Sequence, residues 1–126
     1  MRVLVCGGRE FGKGNLIETL DFVDEVLRSI PRTAILVHGD ARGADRIASR
    51  LWRNRGLQDE PHPADWAKNG RSAGPIRNQE MLDTGIDLVI AFPGGAGTAD
   101  CVRRARRAGI KVHEPGYPVP QSGSRA

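Results

Sequence analysis

Apolar residues along the chain fall into short unbroken runs and into spaced sets, and the two patterns alternate. The runs are Val3 to Cys6, Ala34 to Val37, Ile86 to Phe92 and Ile110 to His113. Each is bounded by Gly, Pro or charged residues and reads as a strand buried on both faces. Leu57 to His62 is a weaker strand candidate because prolines crowd it. Between the runs lie helical patterns. Asn15 to Ile30 carries Leu16, Ile17, Leu20, Val23, Val26, Leu27 and Ile30 at the spacing of one helix face, with Asn15 as N-cap and Pro31 as stop. Arg42 to Arg55 turns Ala44, Ile47, Ala48, Leu51 and Trp52 inward and ends at Gly56. Ser72 to Asp83 predicts a third helix, and Thr98 to Ala108, closed by Gly109, a fourth.

Strands alternating with helices predict an α/β fold of about five parallel strands with helices on both faces. Right-handed crossovers then bring every strand-to-helix turn to one edge of the sheet, where ligands of such folds sit. One domain over residues 1–114 is expected, followed by a flexible tail from Pro115 to Ala126, rich in Pro, Gly and Ser.

Three of those turns are rich in glycine: Gly7-Gly8-Arg9-Glu10-Phe11-Gly12, His38-Gly39-Asp40-Ala41-Arg42-Gly43-Ala44-Asp45 and Pro93-Gly94-Gly95-Ala96-Gly97-Thr98-Ala99-Asp100. Glycine lets a backbone approach a phosphate closely, and the following helix offers free N–H groups and a positive dipole end. Gly7, Gly8, Arg9, Gly39, Asp40, Gly43, Pro93, Gly94, Gly95, Gly97 and Thr98 are therefore candidate ligand contacts. Gly7 to Lys13 matches the spacing of a P-loop, but Gly14 stands where Mg²⁺ needs a Ser or Thr. The dinucleotide fingerprint fails at its third glycine, where Asp100 stands. A P-loop NTPase and a redox dehydrogenase are both disfavoured.

Composition adds limits. The formal net charge is +4, and aromatic residues make up 5%. Arg supplies most of the positive charge, which suits an anionic ligand. The run Arg103, Arg104, Arg106 and Arg107 reads first as a solvated face, with a nucleic-acid patch as the rival. Cys6 and Cys101 are distant in sequence and read as small packing residues. His38, His62 and His113 lack metal-ligand spacing, so no metal and no cofactor is expected. Of these His38, at the ligand edge, is the one to test. Trp66 could stack on a base or pack over the sheet edge. The first apolar run is too short for a signal peptide or membrane span, so a cytoplasmic location is expected.

Arg77, Asn78 and Met81, followed by Ile86 to Thr98, resemble the Arg-Lys-x-x-Met block and the Pro-Gly-Gly-x-Gly-Thr-x-x-Glu loop of the Lonely Guy (LOG) phosphoribohydrolases. Over residues 1–114 the chain is similar to the short YspA/YpsA-related branch of the wider SLOG superfamily. The resemblance implies a Rossmann-like three-layer sandwich that binds nucleotides or nucleotide-derived molecules, and a homodimer. In LOG enzymes an Arg and the Glu closing the motif act at the ribose while a glycosidic bond breaks. Arg77 matches that Arg, but the Glu position falls on Cys101, with Asp100 one residue earlier. Asp100 and Asp45 are the acids that could act with Arg77, and Asp40 and Glu80 are further substitutes. Each has a structural rival: Arg77 could pair with Glu80 or Asp83, Asp45 with Arg42 or Arg46, and Asp100 could serve the helix dipole. Three readings follow. The first is a domain that binds, senses or processes a nucleotide-derived ligand. The others are a LOG-like hydrolase of nucleoside 5′-monophosphates and a single-stranded DNA binder like DNA-processing protein A.

Overall fold

The computed structural model describes residues 1–116. The expected tail lies, from residue 117 on, outside the described residues. Five strands, β1 (Arg2–Cys6), β2 (Ile35–His38), β3 (Asp59–Pro61), β4 (Leu88–Ala91) and β5 (Lys111–His113), form one parallel sheet in the order β3-β2-β1-β4-β5. The helices are α1 (Leu16–Leu27), α2 (Ala44–Asn54), α3 (Trp66–Asn69), α4 (Ala73–Leu82) and α5 (Ala96–Arg107). This is a Rossmann-like α/β fold.

The two faces of the sheet follow from the two-residue period of a strand. Val3 and Val5 of β1 join Leu36, Ile90 and Phe92 in one core, covered by Phe22, Val23 and Leu27 of α1 and Ala44, Ala48 and Trp52 of α2. Leu4 and Cys6 join Val37, Val89 and Ala91 in the other, covered by Met81 and Leu82 of α4 and Cys101, Val102 and Ala105 of α5. Strand succession runs outward one way from β1 and the other way from β4. The switch between these neighbours opens a crevice at their carboxyl ends, which is where α/β sheets place ligands.

Three expectations need correcting. In α1 the inner face is Thr19, Phe22, Val23 and Leu27, while Leu16 and Ile17 are 54% and 77% exposed. Ile17 stands two residues from Thr19, roughly 200° around the helix, so it cannot share that face. Phe22 packs edge-on to Phe92, with ring centroids 5.9 Å apart. Asn15 makes no side-chain capping bond to the helix backbone. Finally, the stretch between the weak strand candidate and the third predicted helix, where the sequence pattern gives no element, contains α3 and leads into a 3-10 turn at Gly70–Ser72. The Asp65 carboxylate caps α3 by accepting from the Lys68 N–H at 3.0 Å.

Candidate functional site

The three glycine-rich turns meet at one edge of the sheet, and Gly8 joins them. Its N–H donates to the Pro93 carbonyl at 2.8 Å, and its own carbonyl accepts from the Ala44 N–H at 3.1 Å. Several glycines exist for this contact. A Cβ at Gly7 would lie 2.5 Å from Ala44 Cβ, and one at Gly43 (φ +86°) would collide with the Gly8 carbonyl. A Cβ at Gly94 would strike the Thr98 hydroxyl and come within 2.6 Å of the Gly8 nitrogen. At Gly39 it would collide with the Arg77 guanidinium.

Gly95 and Gly97 are different. A Cβ at either position meets no atom within 4 Å, and neither has a positive φ. Gly95 is the N-cap of α5 and makes no side-chain cap; Gly97 lies in the first turn. Helix α5 begins at Ala96, two residues earlier than the sequence pattern suggests. The first intrahelical bond is Ala99 N–H to Gly95 carbonyl, 3.0 Å. The N–H groups of Ala96, Gly97 and Thr98 precede it and have no helical acceptor.

These groups open onto a cleft of about 580 Å³ at the β1/β4 switch. Of the residues singled out in the sequence, Gly7, Gly8, Arg9, Asp45, Arg77, Asn78, Gly95, Gly97, Thr98 and Asp100 line it. Gly39 and Asp40 line an adjoining groove instead, where Arg46 pairs with Asp40. Gly43 lies beneath Gly8, and Pro93 and Gly94 line the far side of their loop. These five shape the turns and lie outside the cleft wall.

Inside the cleft the polar side chains form a braced set. Arg77 donates from Nη1 to the Gly39 carbonyl at 2.7 Å and from Nε to Asn78 Oδ1 at 3.1 Å. Buried Asn78 donates to the Gly97 carbonyl (3.2 Å) and to Asp100 Oδ2 (3.1 Å), tying α4 to the start of α5. Asp100 also takes Arg103 at 2.7 Å and Arg104 at 2.9 Å. Its carboxylate is committed to this clamp. Cys101, at the position of the LOG glutamate, is buried in the core beside Cys6. A hydrogen bond from the Cys6 thiol to Cys101, together with burial, holds Cys6 well above its ordinary pKa, so it stays protonated.

Asp45 is the less committed acid. It is 5% exposed, and its Oδ2 accepts from the N–H groups of Gly39 (3.0 Å) and Ala41 (3.3 Å). Burial pushes its pKa up; the Ala41 N–H, the His38 ring, Arg77 and the Gly39 N–H pull against burial without cancelling it. His38 is buried. Its Nδ1 accepts from the Asp40 N–H at 3.0 Å, so Nε2 carries the proton that meets Asp59 Oδ2 at 2.7 Å. The ring braces the β2 end of the sheet and does not line the cleft.

Three cleft residues carry little sequence signal. Arg71, in the 3-10 turn, joins Arg9 and Arg77 on the wall, and none of the three forms an ion pair among the described residues. Gly74 and Pro75 bring the N-terminus of α4 to the same wall. Their presence follows from the packing of α3 and the 3-10 turn, which lack a periodic pattern. Three arginines outside any ion pair among the described residues, together with two helix N-termini, give the cleft a positive character that suits an anion.

Residues 1–69 match the family described as YAcAr: YspA, cpYpsA-related SLOG family. The chain belongs to this family. Gene 61 protein of Mycobacterium phage D29 is 43% identical over 118 residues, covering 88% of this chain and 93% of the phage protein. Among solved structures, the structural-genomics target TM1055 superposes with a TM-score of 0.71 at 19% identity, over 88% of this chain and 71% of that one. DNA processing protein A (DprA) from Streptococcus pneumoniae gives 0.52 at 17% identity, over 89% and 58%. At those identities the two structures share the fold of this SLOG protein. Among the described residues no helix is long and apolar enough to cross a membrane.

Proposed function

We propose that this chain binds a nucleotide or nucleotide-derived molecule whose phosphate rests on the N-terminus of α5. One observation carries the reading: Gly95 and Gly97 line the cleft, and nothing in the fold occupies the space a side chain would take there. A glycine in a helix costs roughly 0.5–1 kcal/mol relative to alanine. Packing does not call for that cost at Gly97, whereas close approach of phosphate oxygens does. The unpaired N–H groups at Ala96, Gly97 and Thr98, with Arg9, Arg71 and Arg77, supply the complementary charge. Membership of a SLOG family is consistent with nucleotide-related binding or processing. Calorimetric titration with nucleoside 5′-monophosphates, ADP-ribose and the parent nucleosides tests it. The phosphate-bearing compounds should bind, the nucleosides much more weakly, and Gly95→Asp should abolish binding. Binding by none of them, or equal binding by Gly95→Asp, would overturn the reading.

A hydrolase reading has Asp45 in its favour. A cleft carboxyl with a raised pKa is suited to protonating a departing base, with Arg77 beside it at the ribose. The clamp on Asp100 leaves Asp45 as the acid to test. Free base released from a nucleoside 5′-monophosphate is measured by chromatography. Release that is as fast in Asp45→Asn as in the wild type would exclude this role.

A further inference from the structure

The chain has two tryptophans, and the fold uses only one of them for packing. Trp52 is wholly buried, its indole N–H donates to the Gln58 carbonyl at 2.9 Å, and Arg55 covers one face. Trp66 is 48% exposed and belongs to neither core cluster. It stands on the cleft wall, with one edge against the start of α4: a Cβ on Gly74 would lie 3.5 Å from its Cη2. The short helix that presents it is fixed at one end by the Asp65 cap and ends at Gly70, whose φ of +56° suits glycine. A half-exposed aromatic ring carried on a capped helix can serve as a stacking platform for a flat partner.

One face of the ring is covered by Arg9, whose guanidinium carbon stands 5.3 Å from the ring centroid. Arg9 itself is exposed and without a carboxylate. It follows directly on Gly8, the residue bonded to the phosphate-side loop at Pro93. An exposed cation–π contact is weak, and stacking of a nucleobase on an aromatic ring is stronger. A base can therefore take the ring from Arg9. The displaced guanidinium then has an anion within the same cleft to turn to.

We infer that Trp66 stacks the base of the bound nucleotide, and that Arg9 is a placeholder on the ring that moves to the phosphate when the base arrives. The inference rests on the nucleotide reading of the cleft and adds which ligand class it selects: compounds with an unpaired base, purines above pyrimidines because of their larger π-face. A phosphorylated sugar without a base would engage only half the site.

Titrations of wild type, Trp66→Ala, Trp66→Phe and Arg9→Ala with a purine nucleoside 5′-monophosphate and with ribose 5-phosphate separate the claims. Trp66→Ala should weaken the nucleotide by about ten- to a hundredfold and leave ribose 5-phosphate within roughly twofold. Trp66→Phe should retain most of the nucleotide affinity. Arg9→Ala should weaken both compounds. The nucleotide should quench the exposed tryptophan's emission against a constant signal from Trp52, and ribose 5-phosphate should not. If both compounds bind and Trp66→Ala changes neither, the stacking inference fails while the phosphate reading stands. If Trp66→Ala loses both equally, the ring shapes the cleft and does not stack a base. If neither compound binds the wild type, the cleft reading and the inference fall together.

Discussion

Replacing Gly97 by alanine should separate stability from binding. The new methyl meets no atom of the chain within 4 Å, and the residue sits in the first turn of α5. Removing a helical glycine stabilises by roughly 0.5–1 kcal/mol, less in a first turn, so the melting temperature should rise by about 2–4 °C. The same methyl stands beside the free N–H groups proposed to hold the phosphate. Pushing the anion away by one bond length forfeits at least one charge-assisted hydrogen bond, worth about 1.5–3 kcal/mol. Affinity for a nucleoside 5′-monophosphate should then fall by about ten- to a hundredfold. Thermal melts without ligand and calorimetric titration with it give both numbers. Gly94→Ala is the contrasting control: its Cβ would strike Thr98 and stand 2.6 Å from the Gly8 nitrogen, so it should lose about 1–3 kcal/mol of stability. A Gly97→Ala protein that binds as tightly as wild type would refute the placement of the phosphate. One that melts lower would refute the claim that the space is free.

Three other outcomes follow from the geometry. Asn78→Asp places a second carboxylate against Asp100 in a buried site, and should cost about 1–3 kcal/mol at neutral pH in a denaturant titration, with partial recovery in acid. Gly39→Ala drives a Cβ into the Arg77 guanidinium, and should lower both stability and ligand affinity because Arg77 must leave its place on the cleft wall. Glu60 is held at about 2, below its ordinary 4.5, first by the Arg2 hydrogen bond and then by His62. Its folded pKa is depressed, so its contribution is complete above about pH 4.5 and disappears as pH falls toward about 2. Glu60 is one-third exposed, which limits the contribution to about 1 kcal/mol, and Glu60→Gln should flatten that part of the stability–pH curve.

The sheet was legible because its central strands are short apolar runs between glycines, as parallel strands buried on both faces must be. β3 was faint because an edge strand tolerates Pro61 and half-buried acids. The convergence of the three turns followed from right-handed crossovers alone. What each glycine does there did not. Gly39 and Gly43 look in sequence like Gly95 and Gly97, and only packing distinguishes turns that touch each other from turns left open. Arg77 and Asn78 stood out by their motif. Asp100 looked like a displaced acid, and its two arginine partners lie one helical turn on, a pairing any solvated helix can show. Arg71 was silent because a 3-10 turn has no period to read. Ile17 was misplaced for the opposite reason: its spacing fits a face that tertiary packing chose one residue away, at Phe22.

A crystal soaked with a purine nucleoside 5′-monophosphate tests the central claim most directly. The account predicts phosphate density within hydrogen-bonding distance of the N–H groups of Gly97 and Thr98, at the mouth of α5. Phosphate bound elsewhere on the chain, or an empty cleft at saturating nucleotide, would contradict it.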